Sequence, residues 1–254
     1  MQSPFPKSRA CHSVTRHPSS QPNGFTLIES LVAIIILTLT VVSVLPPIFW
    51  ATATRVQNRR VEQAVQLAQG EIDRVRVAFE RDARAFNQLP PRANAGIRPV
   101  AGPPNSLVPG KLRSAVAACN QDDGAQAPTV GNVIAVDTDP EPAGQPCRAE
   151  YLIQTFRGAG LPDDTAANPP AGFVMGVRVY SVVAQPNILN GSAQIEQGKQ
   201  GPTTGLGTQQ VRPLTVQYST IVRSNLSDTL NIYRQLCQAA GSAPGNNRSC
   251  DGAS

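Results

Sequence analysis

The stretch QPNGFTLIESLVAIIILTLTVVSVLP, Gln21 to Pro46, decides how the rest of the chain is read. From Phe25 to Trp50 there are 26 residues and one charged group, Glu29. A helix rises about 1.5 Å per residue, so about 20 apolar residues cross the hydrocarbon core of a bilayer. The run predicts a membrane-spanning helix. A secretory h-region is shorter, about 7–15 residues, and ends at an A-x-A-like site. No such site closes this run, although Thr38, Thr40 and Ser43 soften its far half.

In front of the run lies a leader, residues 1–24. It carries Lys7, Arg9 and Arg16, with His12 and His17 beside them and no acid. Basic residues flanking a span tend to stay cytoplasmic, so the leader is expected inside and the C-terminal bulk outside. Its Ser, Pro and Gln content predicts no fold of its own. The amphipathic helix of a transit peptide would be broken by Pro4, Pro6, Pro18 and Pro22.

Gly24-Phe25-Thr26-Leu27-Ile28-Glu29-Ser30-Leu31-Val32 resembles the cleavage and methylation site of type IV prepilins and type II secretion pseudopilins. The resemblance implies that prepilin peptidase, a membrane aspartyl enzyme, cuts after Gly24 on the cytoplasmic side and methylates the new N-terminus of Phe25. The apolar run then stays on the mature protein. Glu29 acquires a physical reason. A carboxylate at the centre of a membrane helix costs about 2.5–3.5 kcal/mol on insertion scales, and less near the end. The resemblance implies that Glu29 of an incoming subunit meets the N-terminal amine of its neighbour and sets register in the helix bundle. Taken alone, an acid at a helix start is also favoured by the macrodipole.

Past Trp50 the helical pattern continues. Val61, Val65, Ala68, Ile72, Val75 and Phe79 form an amphipathic stripe that needs a sheet to cover it. Leu89-Pro90-Pro91 is expected to end the helix, and Pro46-Pro47 to kink or locally melt it. Pilins commonly carry a proline at the distance of Pro46 from the cleavage site; Pro47 is a departure. Residues 90–131 read as a long loop with a short helix at Leu112–Ala118. Four strands follow at Asn132–Val136, Glu150–Arg157, Phe173–Val183 and Leu214–Arg223, with a mobile excursion at Gln185–Val211 and a short helix at Leu230–Ala239.

The expected fold class is α+β and pilin-like: a long N-terminal helix, transmembrane in its first half, packed on a small antiparallel sheet with long loops. The expected division is a removed leader 1–24, a transmembrane and filament-core helix 25–50, an amphipathic helix 51–89, and a globular region 90–254.

The 254 residues include 23 Pro and 20 Gly, so long loops around a modest core fit better than a compact enzyme. Net charge is +5; without the leader it falls to about +2, 19 basic against 17 acidic residues. No basic patch interleaved with aromatics points to nucleic acid. Four cysteines remain after the leader's Cys11: Cys119, Cys147, Cys237 and Cys250. Disulfides are the default for an exported chain. Three pairings are open, and proximity in sequence favours Cys119–Cys147 with Cys237–Cys250. Both histidines lie in the leader, so neither a Ser-His-Asp nor a Cys-His site can be built from the mature chain. The acidic runs Asp122-Asp123, Asp137-Thr138-Asp139-Pro140-Glu141 and Asp163-Asp164 read as polar turns rather than calcium loops, lacking the glycine and closing glutamate of an EF-hand. No enzyme activity, cofactor or metal is expected.

The resemblance implies a minor pilin or pseudopilin. Its partners would be prepilin peptidase, other pilins through the N-terminal helix, and an inner-membrane assembly platform. It would sit as a single-pass protein in the cytoplasmic membrane, bulk outside, before entering a pilus or pseudopilus that serves secretion or motility. Ala51–Arg76 also resembles cyanobacterial pseudopilins linked to hormogonium polysaccharide secretion. Two alternatives remain: a pilus-tip module that grips a surface, polysaccharide or DNA, and a signal-anchored exported protein that never polymerises.

Overall fold

The computed structural model describes residues 26–81, 89–114, 117–122, 128–139, 146–165, 169–199, 205–224 and 228–240. The chain divides into two units, Met1–Phe49 and Trp50–Ser254. Helix α1 spans Leu27–Arg81 and belongs to both. Its helical backbone runs through Pro46 and Pro47, whose side chains lie outside the described residues.

Within the second unit a six-stranded sheet has the order β2-β1-β3-β4-β5-β6. The strands are β1 Ser106–Ser114, β2 Gln121–Asp122, β3 Asn132–Asp137, β4 Tyr151–Arg157, β5 Gly172–Ser181 and β6 Thr215–Val222. All neighbours are antiparallel except β1 and β3, which are parallel. Short helices α2 (Gln185–Leu189) and α3 (Gly205–Gln209) lie between β5 and β6, and α4 (Thr229–Ala240) follows β6.

The amphipathic stripe does what its spacing requires. Ala64, Ala68, Ile72, Val75 and Phe79 are buried against Tyr151, Ile153, Phe173, Met175, Val177 and Val179. The seam passes through Ala64, while Val61 and Val65 flank it half-buried. Phe79 meets Phe173 edge-on, ring centroids 5.0 Å apart. At the far end of α1, Glu80 accepts hydrogen bonds from the backbone N–H and hydroxyl of Ser224.

The opposite face of the sheet is also covered. There Leu152 and Tyr180 pack with Ile188 of α2, and Val174 packs with Ile232 and Leu236 of α4. This explains why every residue of β4 and β5 is buried despite their alternating sequences. Tyr180 donates its hydroxyl to the Gln194 carbonyl at 2.8 Å. Burial pushes its pKa far above the usual tyrosine value, so it acts there as a neutral donor.

Two expectations need correction. Leu112–Ser114 is strand, not helix, and residues 106–114 are not a loop. Pro109 and Gly110 inside β1 disguise it. The register jumps between Leu107 and Leu112, and Gly110 sits at φ 66°, so the break is absorbed in a bulge that glycine accommodates. The described part of Gln185–Val211 is folded back on the sheet rather than loose. Ile188 is fully buried, Gln194 N–H donates to the Val211 carbonyl, and Asn187 donates its amide to the Gln210 carbonyl. Polar composition hid a segment that is anchored through Ile188 and Ala193.

Cys119 and Cys147 form a disulfide that closes a loop 28 residues apart in sequence. Cys237 is disulfide-bonded as well, to a partner outside the described residues, where Cys250 also lies. A loop of that length is worth about 3–4 kcal/mol in the chain-entropy account. Replacing Cys119 and Cys147 together by Ser is therefore expected to lower the unfolding temperature of the purified chain by about 6–16 °C. An unchanged midpoint under non-reducing conditions would remove the bridge from the list of stabilising features.

Candidate functional site

Among the described residues of the first unit, the one charged group stands at the helix start. Thr26 precedes α1, and its carbonyl accepts from the N–H groups of Glu29 and Ser30 at 3.0 and 3.1 Å. Its hydroxyl oxygen accepts from Glu29 N–H at 3.3 Å. Thr26-Leu27-Ile28-Glu29 is thus a T-x-x-E capping sequence, with threonine at the N-cap and glutamate three residues on. The carboxylate of Glu29 is exposed, with no hydrogen-bond or ion-pair partner among the described residues.

The helix that follows is apolar and uncovered. Leu27–Leu45 has mean hydropathy 2.5 and none of it is buried. Its large side chains from Leu27 to Leu45 are 44–83% exposed. The hydroxyls that interrupt it are internally satisfied: Ser30, Thr38, Thr40 and Ser43 each donate to the carbonyl three residues earlier, at 2.8–2.9 Å. Hydroxyls bonded back to their own helix carry little penalty in lipid, because no donor is left without an acceptor. The residues that soften the hydropathy therefore do not disqualify the span.

Among the described residues of the second unit, Glu71, Asp137, Glu150 and Asp164 are held by hydrogen-bond or ion-pair partners. Glu71, buried beside the α1 seam, takes a two-pronged contact from Arg74 (2.7 and 3.0 Å) and another from Arg113 of β1 at 2.6 Å. These groups wall an open groove of about 470 Å³ with Leu67 and Ile153, and they close on one another. Asp137 accepts from Ser114 Oγ and from the Asp139 N–H, and Glu150 accepts from the N–H and hydroxyl of Thr138. Asp137 thus ends β3, and Thr138 and Asp139 leave it braced by these contacts. Asp164 pairs with Arg157 at 2.6 Å and lies 3.6 Å from Arg92.

Of the residues singled out by sequence, the structure places Glu29 on the first turn of α1, Pro46 and Pro47 within its helical backbone, and Cys119 against Cys147. Gly24, Phe25 and Cys250 lie outside the described residues. Three participants were not anticipated. The cap of Thr26 was readable as T-x-x-E. Glu71-Ile72-Asp73-Arg74 shows an i, i+3 pair, but Arg113 as third partner carries no local signal. Arg178, within the strand expected at Phe173–Val183, is 3% exposed.

Residues 20–45 match the prokaryotic N-terminal methylation motif, the prepilin-type signature. The match covers Gly24, Phe25, Glu29 and the apolar helix Leu27–Leu45. Over these residues the chain carries the signature of type IV pilins and pseudopilins, which implies processing by prepilin peptidase and assembly with other pilins. With the one helix long and apolar enough to cross a membrane among the described residues, it indicates a single-pass membrane anchor. No curated protein and no solved structure matches the chain.

Proposed function

We propose that this chain is a minor pilin or pseudopilin. It is inserted in the cytoplasmic membrane with its bulk outside, cut after Gly24, methylated on Phe25, and drawn by an inner-membrane assembly platform into a type IV pilus or secretion pseudopilus. The observation that carries the reading is the Leu27–Leu45 helix: long enough to cross a bilayer, left uncovered by its own chain, and headed by an acid inside a prepilin-type signature. An apolar surface of that extent needs lipid or neighbouring helices. The low aromatic content, the wealth of Pro and Gly, and the second proline at Pro47 favour a minor, priming role over a major subunit. The resemblance of Ala51–Arg76 to hormogonium pseudopilins favours polysaccharide secretion as the machine served.

Mass spectrometry of the N-terminus of the membrane-extracted native protein tests the core of this reading. N-methylated Phe25 is expected. An intact leader, or a start beyond Trp50, would leave an anchored or ordinary exported protein and overturn it. For the machine served, deleting the gene is expected to stop polysaccharide release while pili persist; lost pili with normal release would reassign the subunit to a pilus.

A further inference from the structure

From Ser30 to Thr54 the chain carries no charge, and the first three charged groups after this run are all arginines: Arg55, Arg59 and Arg60. All three are exposed on α1, and none has an ion-pair partner among the described residues. Arg60 also acts electrostatically on Tyr151 without pairing to it. Arg55 and Arg59 are one turn apart on one helix face, with Arg60 about 100° round from Arg59. The first acid, Glu62, comes a turn further from the span. The contrast with the rest of the helix is plain. Arg74 is tied to Glu71 and Arg76 to Asp73, while these three guanidiniums are left open.

Arg55 follows Leu45, the end of the span, by ten residues. At about 1.5 Å per helical residue that is about 15 Å of helix, and about 21 and 22 Å for Arg59 and Arg60, within the range of the membrane's surface potential once the long side chains are added. We propose that Arg55, Arg59 and Arg60 form a collar that recruits anionic phospholipid headgroups in the leaflet on the globular side of the membrane. Guanidinium forks match phosphate oxygens in pairs, and the three that follow the uncharged run are left without an ion-pair partner among the described residues. The collar rests on the single-pass reading. It adds that the subunit holds particular lipids while it waits in the membrane, and must release them to leave it.

The sole tryptophan, Trp50, lies between span and collar in sequence and serves as the probe. The full chain is reconstituted in phosphatidylcholine vesicles containing a minor fraction of acyl-brominated lipid, either phosphatidylglycerol or phosphatidylcholine. Brominated phosphatidylglycerol is expected to quench Trp50 roughly twofold or more better than the brominated phosphatidylcholine, with the excess fading at high salt. The combined R55Q, R59Q and R60Q variant is expected to lose the preference. The corresponding triple lysine variant keeps it, and R76Q leaves it unchanged. Equal quenching by the two lipids in the unmodified chain, or a preference that survives the triple glutamine change, would overturn the collar and leave the anchor standing. Absence of quenching by either lipid would take down the membrane-embedded reading along with it.

Discussion

Replacing Arg178 by Met is expected to destabilise the second unit by about 3 kcal/mol, lowering its unfolding midpoint by about 6–12 °C. Arg178 sits in the middle of β5 opposite Gln154 of β4. Its Nη1 donates to the Gly102 carbonyl at 2.9 Å and to Gln154 Oε1 at 3.1 Å, and its Nη2 donates to the Ala101 carbonyl at 3.0 Å. The guanidinium carbon lies 4.6 Å from the centre of the Phe156 ring. Among the described residues no carboxylate pairs with it, so carbonyl dipoles and a ring face take the place of a counter-ion. Methionine would fill much of the volume and remove the buried charge, which is itself a gain. It would also strip the Ala101 carbonyl and Gln154 Oε1 of these donors, at about 1–3 kcal/mol for each group left unsatisfied, and forfeit the cation–π contact. Two orphaned acceptors outweigh the relief of one desolvated cation. Lysine retains the charge but offers one nitrogen where the guanidinium reaches its partners from two, so R178K is expected to recover only part of the loss. Thermal denaturation of the detergent-solubilised full chain reads this directly. A midpoint within about 2 °C of the parent would mean that the 101–102 strap is held by other contacts. In that case Gln154, which donates to the carbonyls of Gly102 and Val130, is the next residue to remove.

The same arginine shows where sequence reading stopped. Phe173–Val183 alternates, and alternation licenses one buried and one wet face. It cannot say that a strap from residues 97–102 and helices α2 and α4 will cover the second face, because those contacts arise from segments far apart along the chain. Four strands and α4 were legible because β-branched and aromatic runs, or a helical period, are local properties. Strand β1 was not, since Pro109 and Gly110 break the local pattern and only pairing with β3 reveals it. Its parallel orientation is a topological fact with no local trace. The N-terminal signature was the easiest part to read, because Gly24 to Val32 and the apolar run behind it are contiguous, and residues 20–45 match the methylation motif. Charge bias is the weaker half of the orientation argument: Lys7, Arg9 and Arg16 before the span are matched by Arg55, Arg59 and Arg60 after it. Orientation therefore leans on the prepilin-type signature rather than on counting basic residues.

Glu29→Ala is expected to enter the membrane and lose its leader normally, yet to appear in filaments at about a hundredth of the parent level or less. Insertion should improve slightly, since an acid in a membrane helix is unfavourable even near its end. Assembly should suffer because, on the proposed reading, the carboxylate meets the amine of a neighbouring Phe25 inside a bundle of apolar helices. Removing one partner of a buried charge pair costs about 3–5 kcal/mol, and each 1.4 kcal/mol is a factor of ten. The structure supplies a competing explanation that alanine alone cannot dismiss. Thr26 caps the N–H of Glu29, and the T-x-x-E pattern suits a glutamate whose role is to secure the first turn. Glutamine separates the two. It is accepted at the same capping position and keeps the helix start, but it carries no charge to offer an amine. Cleaved subunit recovered in sheared filaments, measured for both variants against the parent, then decides. If Glu29→Gln falls as far as Glu29→Ala, the negative charge is what assembly needs. If Glu29→Gln assembles like the parent while Glu29→Ala does not, the glutamate serves its own helix, and register between subunits must come from elsewhere. Normal assembly of both variants would leave the carboxylate with no part in either role.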